Sequence, residues 1–149
     1  MPKQTLICPV PVAHIGSALA LADQGDGRVA FGSGSLDGGG QMWEFFTGVS
    51  TGTPVLIYVS PTGKNVQNCA EFLGPVLSLQ ATFVSCETDP QQVAAIRPDS
   101  TKTDGTWQVF WICKCLQRIP ERKQISLNSI GLQTIPRRPM LRAVRALES

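Results

Sequence analysis

Gly63-Lys64 is the pair of residues in this chain that most invites a phosphate-loop reading, and its surroundings refuse it. Such a loop has a glycine five residues before the one preceding Lys. It also has Ser or Thr after Lys, because backbone N–H groups and a hydroxyl must surround the phosphates and their magnesium. Here those positions hold Tyr58 and Asn65. Acyl transfer by a Ser-His-Asp set has equally little support. His14 is the single histidine, and it falls where a first helix would start. Ser17 and Ser35 lie among small residues, but neither has the nucleophile-elbow pattern. The carboxylates are scattered through turn-like stretches, so no acid–base pair stands out.

The aromatic residues form a more suggestive set. Phe31, Trp43, Tyr58, Trp107 and Trp111 all lie in or beside strand-like runs and a glycine-rich stretch. Flat side chains beside polar loops can stack a nucleobase, worth about 1–3 kcal/mol per base. The same side chains fill ordinary cores. Alternation assigns Phe110 and Trp111 to the core. For Trp43 and Tyr58 both a core and a ligand-facing placement stay open.

The five cysteines, Cys8, Cys69, Cys86, Cys113 and Cys115, have no disulfide-framework spacing. Cys113 and Cys115 share a strand face but make no zinc site by themselves, and one histidine adds at most one imidazole. Free thiols in a reducing compartment are expected, with no disulfide and no metal.

Charge is uneven along the chain. The net charge is +2, yet from Lys114 onward eight basic residues face only Glu121 and Glu148, a net +6 that leaves −4 for the rest. A basic C-terminal quarter suits phosphate contacts, and Arg137, Arg138, Arg142 and Arg145 are the candidates. The plainer alternative is the solvated face of a last helix.

These residues need a scaffold, and 149 residues at 42% hydrophobic are enough for one domain with one core, spanning 1–149. No run approaches the ~18 apolar residues of a membrane helix, and the start does not read as a secretory signal. A cytoplasmic protein with no membrane partner is the expectation. With 14 Gly and 11 Pro, short elements and many turns are expected.

Thr5–Cys8 reads as a first strand stopped by Pro9, and Ala13–Ala22 as a helix. Arg28–Phe31 is a short strand, Gly32–Gly40 a loop and Gln41–Val49 a short helix. Val55–Val59, Val76–Val84 and Trp107–Leu116 carry the β-branched, aromatic and alternating patterns of strands in one sheet. Pro90–Ile96 reads as a brief helix. Ser126 can cap another, and Pro139 can open a final helix with Leu141, Val144 and Leu147 inward. The fold class is α+β.

Two stretches carry a family resemblance. Gly48–Ser60, "GVSTGTPVLIYVS", resembles the "Gly, polar residue, apolar strand, Tyr-x-Ser" segment of the EVE branch of the PUA-like superfamily. Thr106–Leu127, "TWQVFWICKCLQRIPERKQISL", resembles that family's "Trp, long strand, basic residue, Pro, Ser-Leu" segment. "FLGPVLSLQATFVSC" lies between them and fits a further strand. The resemblance implies a PUA-like twisted five- or six-stranded pseudobarrel flanked by short helices. It implies a pocket for a flipped-out or modified base, without metal or cofactor.

By position Tyr58 and Ser60 match the family's pocket edge, and Phe31 and Trp43 match its early aromatic. Lys64, in the second polar loop, would bond the base edge. Cys8-Pro9-Val10-Pro11 lacks the family's early carboxylate, and Val59 stands where the family has His, so base specificity does not carry over.

The function expected from these residues is non-catalytic binding of nucleic acid, RNA or DNA. A related branch, ASCH, contains small amidohydrolases of modified nucleosides, for which Lys64, Thr62 and Glu44 or Glu71 would be the catalytic groups. A third expectation is a protein-interaction subunit.

Overall fold

The computed structural model describes residues 4–35, 42–61, 73–98 and 107–144. Among these residues seven strands form one mixed sheet: β1 (Gln4–Pro11), β2 (Val29–Ser35), β3 (Pro54–Ser60), β4 (Val76–Glu87), β5 (Trp107–Arg118), β6 (Ile125–Ser126) and β7 (Met140–Ala143). Their order is β2-β5-β4-β3-β1-β7, with β6 beside the start of β4. Only β1 and β3 run parallel. Three α-helices among the described residues, α1 (Ile15–Ala22), α2 (Met42–Thr47) and α3 (Pro90–Val93), and a few short 3-10 turns complete the α+β fold.

Three expectations are corrected. The sheet has seven strands and does not close into a five- or six-stranded pseudobarrel, since β2 and β7 sit at opposite ends of the order. Pro9 does not stop the first strand, which runs to Pro11. β7 pairs only with residues 4–7 of β1, so from Cys8 onward one side of β1 has no ladder to feed. Proline, lacking an N–H, is tolerated on such an edge. Pro139 opens no helix either. Met140–Ala143 is strand β7, antiparallel to β1, because Leu6 and Ile7 offer a ladder to an extended chain.

The first face of the sheet carries the main core. Leu6 and Cys8 of β1, Val55 and Ile57 of β3, Leu79 and Phe83 of β4, and Val109, Trp111 and Cys113 of β5 are all buried there. α1 covers this face with Ile15 and Ala18. α2 covers it with Phe46, whose ring stacks between those of Phe83 (6.3 Å) and Trp111 (6.2 Å). The backbone N–H of Met42 donates to Oε1 of Gln108 at 3.3 Å, tying the start of α2 to β5.

Among the described residues, the second face is covered only at its two ends. At one end Ile119, Ile125, Leu127, Leu132 and Val144 close over Ile7, Leu56, Tyr58 and Leu77. At the other, Val93 of α3 packs with Ala30, Phe110 and Ile112. There the guanidinium of Arg97 lies 4.8 Å from the centre of the Phe110 ring, a cation–π contact.

Candidate functional groove

Among the described residues, the middle of the second face is concave and left uncovered. Its shape comes from irregular pairing of β4 with its neighbours. The register runs Gln80↔Gln117 and then Thr82↔Lys114, so β5 sets three residues against two of β4. The extra residue is absorbed at Cys115, whose φ of 59° lies in the left-handed region. A second shift falls where Ile57↔Leu79 is followed by Tyr58↔Leu77, and a third between Phe83 and Ser85. Bulges bend a strand and sharpen its twist, and they re-aim side chains. A positive φ at a non-glycine residue is costly and persists only where its surroundings fix it.

Two hollows that share Gln80 and Gln117 lie here. The smaller, about 340 Å³, is lined by Gly52, Pro54, Leu56, Thr82 and Cys115, with Gln80 and Gln117 at its boundary. The larger, about 880 Å³, begins at the same two glutamines and extends past Arg118, Arg122, Lys123 and Ser126. Among the described residues, no carboxylate lines either hollow. Gln80 and Gln117 are register partners on adjacent strands, and both line both hollows. Across one ladder step such side chains stand about 5 Å apart.

The aromatic residues singled out from the sequence, Phe31, Trp43 and Tyr58, are not brought together in one pocket. Phe31 is 4% exposed in the main core. Tyr58 is 2% exposed in the cluster closed by the C-terminal segment. Burial pushes the Tyr58 phenol above its ordinary pKa. The two rings lie on opposite faces, because Phe31 belongs to the first-face cluster and Tyr58 to the second. Trp43 is 42% exposed on α2, over the first face. Ser60 ends β3, half-buried. Arg137 and Arg138 are exposed before β7, and Arg142 is exposed on it. Lys64 and Arg145 lie outside the described residues, as do Thr62, Cys69 and Glu71.

His14 stands at the N-cap of α1 without a side-chain capping bond. Cys8 and Cys113 are buried, Cys86 is half-buried and Cys115 is exposed. Among the described residues no three His, Cys, Asp or Glu side chains gather as a metal site. No described helix is long and apolar enough to cross a membrane.

Sequence reasoning missed Gln80, Gln117 and Cys115. It counted Arg118, Arg122 and Lys123 only as part of the basic C-terminal quarter. The available signal was that cationic run at the end of β5 and just after it. Compared with known family models, curated proteins and solved structures, the chain matches none.

Proposed function

We propose that this protein is a non-catalytic nucleic-acid-binding module, and that the groove on the second sheet face is where it binds. The observation that carries this reading is the groove's lining, in which Arg118, Arg122 and Lys123 stand together along one concavity. Cations clustered along a concavity focus the field on a polyanion, and their contacts to phosphates release counterions.

The aromatic pocket is not part of this reading, since Phe31 and Tyr58 serve the core. The resemblance to the EVE branch stays part of it. Its two matching stretches form β3 and β5 and their flanks, which frame the groove. For the amidohydrolase alternative, only Glu44 is among the described residues, on α2 over the first face.

Replacing Arg118, Arg122 and Lys123 by Gln tests the proposal. Fluorescence anisotropy with labelled oligonucleotides at several salt concentrations reads the result. The slope of log K against log[salt] should fall by about 0.7–0.9 per lost phosphate contact. Unchanged affinity and slope in the folded triple variant would remove the groove from consideration.

A further inference from the structure

The uncovered middle of the second face is polar. Gln80 and Thr82 of β4 stand on it, because Leu79, Ala81 and Phe83 beside them belong to the first-face core and side chains alternate along a strand. Their register partners on β5 are Gln117 and Lys114. These share the second face, since Leu116 and Cys113 next to them are buried in the first-face core. Lys114 and Gln117 are both exposed. The lysine rung and the glutamine rung lie about 7 Å apart along β4, two residues of strand. Past the glutamine rung β5 leads on to Arg122 and Lys123, which line the larger hollow. A pair of amides is therefore flanked by one cation on one side and by two on the other.

We propose that a single, unpaired nucleic-acid strand crosses this face along β5, and that the site selects for strandedness and is indifferent to base identity. Phosphates of that strand rest on Lys114 and on Arg122 and Lys123, and the edge of one base between them rests on Gln80 and Gln117. This rests on the nucleic-acid reading above and deepens it. A glutamine amide carries donors and an acceptor side by side, and every unpaired base offers a hydrogen-bonding edge to a protein. The amide pair thus accepts any base. In a duplex the Watson–Crick edges are spent on the partner strand, which leaves the phosphates for this site. Shape acts in the same direction. A hollow of about 880 Å³, if round, is about 12 Å across, no wider than the major groove of a duplex alone. The cations inside it are open to one strand and closed to two.

The test uses the full chain with labelled oligo-dA, oligo-dT, oligo-dC and oligo-rU, a mixed-sequence duplex, and inorganic polyphosphate as competitor. Single strands should bind about four- to a hundredfold more tightly than the duplex, the product of two neutral hydrogen bonds at about two- to tenfold each. Gln80→Met and Gln117→Met should each weaken every single strand by about two- to tenfold. Duplex affinity and the salt slope should not move. Gln117→Asn keeps the amide but draws it back by one methylene and should weaken binding in the same way, so a Met variant that fails to fold does not leave the question open. Lys114→Gln should lower the single-strand salt slope by about 0.7, one phosphate contact. Tighter binding of oligo-rU or of the DNA strands names the sugar that the site takes, and either supports it. Duplex bound as tightly as single strand, an amide loss confined to one base, or a slope that Lys114→Gln does not move would overturn the single-strand site while leaving the nucleic-acid reading in place. Polyphosphate bound as tightly as the oligonucleotides, or no oligonucleotide binding at low salt, would overturn both.

Discussion

The ring of Phe31 lies 4.9 Å from that of Trp111, tilted by 33°. The two residues are register partners across β2 and β5. Behind them the Phe46 ring of α2 stacks on the same indole. β2 is the last strand at its end of the sheet, so this cross-strand pair joins an edge strand to both the sheet and its covering helix. Aromatic pairs of this geometry add about 0.5–1.5 kcal/mol beyond the area they bury.

Truncating either ring should therefore be a stability event and not a binding one. Phe31→Ala and Trp111→Ala should each cost about 3–5 kcal/mol in urea unfolding. The double variant should cost less than the sum, because the partners share one contact. Oligonucleotide affinity per folded molecule should stay that of wild type. A Phe31→Ala variant with an unshifted midpoint and weakened binding would return Phe31 to the ligand.

Much of the sheet was legible because β3, β4 and β5 announce themselves by β-branched and aromatic alternation. Phe110 and Trp111 were placed correctly for the same reason, since both flanking faces of β5 are apolar. Tyr58 was harder. Alternation puts it opposite Ile57, but only the docking of Ile119, Leu127 and Val144 decides that its side of the sheet is covered at that point. The C-terminal element read as a helix because Pro139 and spaced apolar residues suit one. The free edge of β1, invisible in local sequence, made it a strand. Gln80 and Gln117 each read as an ordinary polar residue in an alternating strand. Their pairing depends on a register with a bulge in it, and no local pattern announced the extra residue at Cys115.

Gly32 supplies a second stability prediction. A Cβ built there would clash with Cδ1 and Cγ of Trp107, whose indole lies across the glycine. The ring is stiff, so Gly32→Ala must push it aside, at about 1–3 kcal/mol for overpacking. Placing the same substitution in a Trp107→Leu background should recover most of that cost. Equal cost in both backgrounds would show that backbone preference, not the indole, sets the penalty.

The buried thiols give a pH dependence. Burial pushes Cys113 from an ordinary 9.0 up to about 12, with Cys115 adding to it. Cys8 is raised by burial and by Cys113. A folded pKa above the unfolded one means that the unfolded chain sheds its proton first as pH rises. The stability from the neutral thiol is complete below pH 9 and is lost progressively between 9 and 12. Urea midpoints should fall over that interval. Cys113→Ala should start lower, having lost core volume, and fall less steeply. Parallel curves for the two proteins would mean that Cys113 contributes nothing to the alkaline limb.

Cys115 allows the groove to be mapped without changing a residue. Its thiol is exposed in the smaller hollow, whereas Cys86 is half-buried against the core of the opposite face. Alkylation with iodoacetamide, followed peptide by peptide in a mass spectrometer, reports both at once. A ligand in the groove must slow Cys115 in proportion to occupancy, by about tenfold at ten times its Kd. Cys86 should react at its own rate with or without ligand. The reciprocal experiment should agree, with protein alkylated at Cys115 losing oligonucleotide affinity. The competing phosphate site is the exposed group Arg137, Arg138 and Arg142 at the β7 edge. Nucleic acid held there would leave the Cys115 rate unchanged at saturation, and Gln substitutions of those arginines would then flatten the salt dependence that Arg118, Arg122 and Lys123 are expected to control.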